Sequence, residues 1–145
     1  MALTKEETTQ LETLAERVLT GYDFTGPPVP VERILSHPPL GIEPVDISDL
    51  SLVFGAGRHQ YDYRLALGRL LYREILRMGD DADQLPFSSE AAAYFAMALL
   101  LPAPWVTASA ADPTTDIGAL SERYQVSAGT MFLRVKQLGM GSGEE

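Results

Sequence analysis

The sequence predicts an α+β domain that is mostly helical and contains a small sheet of two or three strands. Two observations predict it. Apolar residues recur at three- and four-residue intervals in several segments, as they do in amphipathic helices. Between two such segments, 41–47 and 50–54 are short runs rich in Ile and Val, joined by a Ser-Asp turn, which is typical of strands. The length of 145 residues suits one domain. We place it at 1–140, with 141–145 as a flexible tail.

The first helix has clear boundaries in the sequence. Thr4 followed by Glu7 fits a capping box, in which each residue satisfies a backbone N–H of the other. Gly21 lies just beyond the last apolar position and is expected to end the helix. A proline-rich stretch follows, in which Pro30 is expected to start a short helix over 31–35.

Two longer helices are expected after the predicted strands. The first covers 61–78, and the second is EAAAYFAMALLLP, which follows two serines able to cap it. This second segment is apolar nearly all round, so it should be buried. Pro102 and Pro104 are expected to end it, with Phe95, Leu99 and Trp105 in the core.

The end of the chain predicts a pair of short helices, over 117–124 and 128–138. Ser127 is expected to cap the second, and Gly139 to end it. A short turn between two helices of this length has the shape of a helix-turn-helix segment.

Composition excludes several classes of function. The chain contains no cysteine, which excludes disulfides, thiol catalysis and cysteine-ligated zinc. It begins without a basic-then-apolar signal pattern and has no apolar run of membrane-spanning length, so we expect a cytoplasmic protein. The net charge of −9 disfavours direct binding to nucleic acid, because that affinity depends largely on neutralising phosphates.

Three stretches, in this order, resemble the ImmA/IrrE family of bacterial and phage metallopeptidases. They are GPPVPVERILSHPPLGIEPV, EAAAYFAMALLLP and IGALSERYQVSAGTMFLRVKQLGM, and with their connections they span about 25–140. The resemblance implies a zincin-like helix pair formed by the two long helices, followed by the helix-turn-helix-like segment. Active members of that family cut helix-turn-helix repressors, so it also implies a protein partner of that kind and a role in transcription regulation.

The family's zinc motif is degenerate in this chain. A HExxH helix holds zinc through two histidines and uses the glutamate as general base. Laid on 64–73, the histidines fall on Arg69 and Arg73, and the glutamate falls on Leu70; the family's third ligand falls on or beside Glu90. Guanidinium has no lone pair for a metal, and leucine cannot accept a proton. We therefore expect no catalytic residue, no bound metal and no cofactor.

Two interpretations of the arginines remain open at this point. Their long side chains could extend to water from the edge of the helix. Alternatively, Arg69 or Arg73 forms a buried ion pair with Glu90, which would join the two helices that zinc would have bridged.

Three functions are compatible with the sequence. The preferred one is a catalytically inactive pseudopeptidase that binds a protein, such as a helix-turn-helix repressor. The second is a nucleic-acid-binding regulator that uses the C-terminal helix pair. The third is a non-metal enzyme or anion-binding cleft, formed by Arg69, Arg73 and Glu90 with Tyr72 and Tyr94. The sequence does not indicate the oligomeric state.

Overall fold

The computed structural model describes residues 3–22, 26–38, 44, 60–78, 85–112 and 114–139. In this part of the chain the backbone forms seven helices. They are α1 (Lys5–Thr20), α2 (Val31–Ser36), α3 (Gln60–Met78), α4 (Ser89–Leu100), α5 (Ala103–Ala110), α6 (Ile117–Tyr124) and α7 (Ala128–Gln137).

The predicted α+β class is wrong for the described residues, which contain helices and no strand. The core is built by helices around α4. Tyr94 of α4 contacts α1, whereas Ala96 contacts α3. Residues two apart on a helix point about 200° apart, so α1 and α3 cover opposite faces of α4. An apolar helix covered in this way needs no sheet to bury it. The predicted strands at 41–47 and 50–54 lie outside the described residues, except for the exposed Pro44.

The predicted helix starts are confirmed. The Thr4 Oγ1 accepts from the Glu7 N–H at 3.0 Å, and the Glu7 carboxylate accepts from the Thr4 N–H at 2.9 Å. Ser88 caps α4, and Ser127 caps α7, each through its side-chain oxygen. These side chains satisfy N–H groups that the helix itself leaves without a partner.

Helix α5 was not expected from the sequence. Pro102 and Pro104 do end α4, whose last residue is Leu100, but Pro104 also lies in the first turn of α5. Proline is tolerated there because the first N–H groups of a helix have no partner within the helix. The two prolines therefore form a bend between two helices, not the end of helical structure.

The core contains Phe95 and Leu99 as predicted, and both are wholly buried. Trp105 is only partly buried, because it packs against the edge of the core from α5. The rings of Phe95 and Tyr72 lie 5.2 Å apart between centroids at a tilt of 34°. This contact joins α4 to α3 in an arrangement that aromatic pairs favour.

Helices α6 and α7 form the predicted helix-turn-helix-like pair. The turn contains Gln125 in the left-handed region, with φ of 62°. The buried Arg64 of α3 holds this turn in place, since its Nε donates to the Gln125 carbonyl at 3.1 Å and its Nη2 donates to the Val29 carbonyl at 2.9 Å. Burial lowers the pKa of Arg64, while the charge of Glu32 raises it. Arg64 thus connects three separate parts of the chain.

The closest approach of α3 to α4 is at Gly68. A Cβ atom on Gly68 would lie 2.8 Å from the Ala96 Cβ and 2.9 Å from its Cα. Real Cβ atoms do not approach other atoms so closely, so the side chain must be absent for these helices to pack as they do.

Replacing Gly68 with alanine should therefore destabilise the protein by roughly 1–3 kcal/mol, because the two helices would have to move apart. Gly129 of α7 is the matched control, since, apart from its chain neighbours and its own helix backbone, no described atom lies within 4 Å of the position that a Cβ atom would take there. Gly129→Ala should be neutral or stabilising by up to about 1 kcal/mol, as glycine is a poor helix former. Urea denaturation of both variants tests this, and a stabilised Gly68→Ala protein would contradict the packing.

Within the described residues, no single helix is both long and apolar enough to cross a membrane. Helices α4 and α5 meet that criterion only as a pair, and they are bent by 59° at the break between them.

Candidate functional site

An open groove of about 700 Å³ lies between α3 and the start of α4. Its apolar lining comes from half-buried side chains on both helices, namely Ala66, Leu70, Leu76 and Ala92. Phe87, in the segment that leads into α4, also lines the groove and is 90% exposed. This groove contains the helix face on which the family resemblance places the zinc motif.

Arg69 and Arg73 line the same groove, and both side chains are exposed. Among the described residues, neither has a carboxylate within ion-pairing distance. Arg77, one turn further along α3, does have one, since its Nη2 lies 2.7 Å from the Glu74 carboxylate. The groove therefore carries two cations that no described side chain neutralises.

The predicted ion pair between these arginines and Glu90 does not form, although all three residues belong to the described part of the chain. Glu90 is exposed on the first turn of α4 and does not line the groove. A hydrogen bond from its own backbone N–H lowers the pKa of the Glu90 carboxyl group. Water stabilises an exposed guanidinium without help, so neither Arg69 nor Arg73 requires a carboxylate. Of the two interpretations, side chains that extend to water agree with the structure.

Tyr72 is buried on α3 and also lines the groove. Its hydroxyl donates to the Pro86 carbonyl at 2.5 Å, which attaches the segment before α4 to α3. Burial, together with the negative charge of Glu7, raises the pKa of Tyr72 to about 12. The hydroxyl is therefore protonated at neutral pH and acts as a structural donor.

Tyr94 faces away from this groove, towards α1. Its hydroxyl donates to the Glu12 carboxylate at 2.6 Å, and burial followed by that contact raises the pKa of Tyr94 to about 12. The structure thus brings together Arg69, Arg73 and Tyr72 but does not bring Tyr94 or Glu90 to them. The five-residue anion cleft that the sequence suggested is not assembled.

A polar network between α1, α4 and α7 is a feature that the sequence patterns did not predict. Arg134 is wholly buried, and its Nη1 and Nη2 donate to the two oxygens of Glu12 at 2.5 and 2.8 Å. Its Nε donates to the Leu101 carbonyl at 2.9 Å. A signal for this burial exists in the sequence, because Arg134 occupies a position of the apolar stripe that includes Met131 and Leu138.

The network lowers the pKa of Glu12. Burial alone raises the pKa of this carboxyl group, but hydrogen bonds from Arg134 and Tyr94, and the charge of Arg134, together outweigh it. Glu12 is therefore ionised at neutral pH and neutralises the buried guanidinium. With its oxygens engaged in this way, Glu12 has a structural role.

A second groove, of about 490 Å³, lies between α1 and the bend that joins α4 to α5. Leu19 and Trp105 supply apolar surface, and Glu12 and the exposed Glu16 supply carboxylates. Among the described lining residues, Glu12 is paired with Arg134, whereas Glu16 is a carboxylate that does not take part in this ion pair.

Helix α7 exposes apolar side chains where a DNA-binding recognition helix would expose polar ones. Phe132 is 57% exposed, and Leu133 is 45% exposed. The Lys136 ammonium lies 6.0 Å from the centre of the Phe132 ring. This surface is therefore apolar, with one cation beside it.

Comparison of the chain with protein-family models, curated proteins and solved structures gave no match. Within the described ranges, no group of three or more His, Cys, Asp or Glu side chains is placed to hold a metal ion.

Proposed function

We propose that this chain is a catalytically inactive relative of the ImmA/IrrE peptidases that acts by binding a protein partner in the α3–α4 groove. The observation that carries the proposal is the groove lining itself. Where the resemblance places two zinc ligands and a general base, the groove has Arg69, Arg73 and Leu70 around an apolar floor. Such a surface is suited to binding, and the lining residues that the structure describes include no carboxylate or imidazole that could activate water.

Chemistry at these three positions argues against hydrolysis. A guanidinium stays protonated and repels a metal cation, so Arg69 and Arg73 cannot replace the histidines. Leu70 has no atom that could accept a proton. The Tyr72 hydroxyl is fixed by the Pro86 carbonyl, and the Ser88 hydroxyl oxygen is occupied in capping α4. The groove side chains therefore support recognition of a partner.

The nucleic-acid alternative is weakened by the position of Arg134. The sequence of the C-terminal pair offers three cations, Arg123, Arg134 and Lys136. Arg134 is wholly buried against Glu12 and cannot reach a phosphate. The remaining two are balanced by Asp116 and Glu122, so the pair has no net positive charge for DNA.

A helix-turn-helix repressor is the partner that we propose, in the cytoplasm. The net charge of −9 complements a basic, DNA-binding protein and would favour its association by long-range attraction. A module of this kind would regulate transcription by keeping the repressor from its DNA site.

The proposal is tested with purified proteins. Candidate repressors are titrated against the wild-type chain and against Ala92→Arg, which blocks the groove floor. Ala119→Arg, on an exposed position of α6 that does not line the groove, is the matched control. We expect one of the repressors to bind the wild-type chain. Ala92→Arg should weaken this affinity by about tenfold or more, and Ala119→Arg should leave it unchanged. The bound repressor should remain intact on a gel in the presence of zinc.

Two results would overturn the proposal. One is cleavage of the repressor at a defined bond, which would show a peptidase. The other is a repressor affinity that Ala92→Arg does not alter, which would place the binding surface elsewhere.

A further inference from the structure

We infer that the segment bound in the α3–α4 groove is an acidic amphipathic helix, with two carboxylates one turn apart that pair with Arg69 and Arg73. This inference rests on the proposed function and adds the chemistry of the segment that the partner presents. Three features of the groove support it: its length, the two positive charges that no described side chain neutralises, and its exposed apolar surface.

The length of the groove suits a short helix. Its lining extends along α3 from Ala66 to Leu76. At a rise of 1.5 Å per residue this is about 15 Å, or roughly three helical turns. Peptide helices commonly bind in this way, with their apolar side chains in a groove between two helices of the receptor.

The charge at the groove opposes that of the whole protein. The chain has a net charge of −9, yet Arg69 and Arg73 are exposed here and have no ion-pair partner among the described residues. Because they are four residues apart, they lie on one face of α3 with one turn between them. Two carboxylates four residues apart on a partner helix have the same spacing, and each can accept two hydrogen bonds from a guanidinium. A basic segment would instead be repelled at this rim, so a repressor that is basic overall must present an acidic segment to the groove.

The apolar surface requires that the acidic helix be amphipathic. Phe87 is 90% exposed beside the half-buried Leu70 and Leu76, so the groove presents apolar area that a partner can remove from water. Ser88 and Ser89, at the start of α4, also line the groove. The N-terminus of α4, whose dipole favours carboxylates, therefore lies at the same groove as the arginines, and the negative Glu90 in its first turn offsets part of that preference.

The test uses a designed peptide as the probe. It is a fluorescein-labelled amphipathic helix of about 14 residues with leucines at i, i+3 and i+7 and a Glu-x-x-x-Glu pair beside them. A second peptide has both glutamates replaced by glutamine. Binding to the full chain is measured by fluorescence anisotropy at about 50 mM salt, where charge pairs are weakly screened.

We compare the wild-type chain with Arg69→Gln/Arg73→Gln. The matched control is Arg33→Gln/Arg123→Gln, which removes the same charge from two exposed positions outside the groove. We expect the groove variant to bind the glutamate peptide about fivefold more weakly, while the control variant changes the affinity less than twofold. The glutamine peptide should bind the wild-type chain about as weakly as the glutamate peptide binds the groove variant. Its affinity should be the same for the wild-type chain and for both double variants.

The inference is overturned if the glutamate peptide fails to bind at about 1 mM, if both double variants weaken it equally, or if the glutamine peptide binds as well. Its failure is distinguishable from failure of the proposed function. If Ala92→Arg weakens repressor binding but Arg69→Gln/Arg73→Gln does not change the affinity, the result would support groove binding and refute the acidic helix.

Discussion

Glu12→Ala should lower the free energy of unfolding by roughly 3–5 kcal/mol. Arg134 is wholly buried, and Glu12 provides the carboxylate that its two terminal nitrogens contact. Without that carboxylate the guanidinium stays buried, and the bond from its Nε to the Leu101 carbonyl does not neutralise its charge. Since transfer of an unpaired charge from water is strongly unfavourable, the cost should far exceed that of an exposed ion pair.

Two control variants distinguish the effect of losing the Glu12–Arg134 ion pair from the effects of losing a nearby charge or a single hydrogen bond. Glu16→Ala removes an exposed carboxylate one turn further along α1 and should change stability by less than about 0.5 kcal/mol. Tyr94→Phe removes one hydrogen bond to Glu12 and should cost about 0.5–1.5 kcal/mol. Urea denaturation measures all three variants. A Glu12→Ala protein as stable as Glu16→Ala would mean that water reaches Arg134.

The same pair predicts how stability depends on pH. The pKa of Glu12 is lower in the folded protein than in the unfolded chain, so the unfolded chain binds its proton first as the pH falls. The stabilisation by Glu12 is therefore complete above the unfolded value, near 4.5, and is lost as the pH falls through the folded value. Glu12→Gln should show a smaller loss of stability than wild type between about pH 6 and pH 3.

Phe95→Ala is the second substitution with a large expected effect, a loss of roughly 3–5 kcal/mol. Phe95 is wholly buried at the centre of α4 and packs against the Tyr72 ring at 5.2 Å. Its removal leaves a cavity between α3 and α4 and forfeits the contact between the two rings.

Phe87→Ala provides the matched control, because it deletes the same side chain where it is 90% exposed. That variant should lie within about 0.5 kcal/mol of wild type. Thermal or urea denaturation compares the two. Equal effects of the two substitutions would mean that α4 does not pack as described.

Local signals predicted most helices well, because caps and apolar spacing act within a few residues. Thr4, Ser88 and Ser127 each form the cap expected of them. The role predicted for Pro104 was incomplete, because it was expected only to end α4 and it also lies in the first turn of α5. Proline can end one helix or start the next, and the sequence does not say which role it has. The expectation of a sheet came from short Ile- and Val-rich runs, which do not by themselves distinguish strands from other apolar segments.

The candidate site was predictable only in part. Helical spacing correctly placed Arg69 and Arg73 on one face of α3, and both line the groove. It could not predict whether Glu90 reaches them, because that depends on how α3 and α4 are rotated against each other. Tyr94 illustrates the same limit, since its partner Glu12 lies 82 residues away in the chain. Contacts over such distances are set by tertiary packing, which local patterns do not encode.

The ion pair between Glu12 and Arg134 joins residues that are 122 positions apart. During synthesis on the ribosome, α1 therefore emerges long before α7, which supplies the guanidinium that neutralises the Glu12 carboxylate. Until α7 is released, the growing chain cannot complete the contact that holds α1, α4 and α7 together. A nascent chain that has been synthesised only as far as α6 would hold α1 against α4 without this ion pair, and its Glu12 carboxylate would lack the guanidinium that neutralises it.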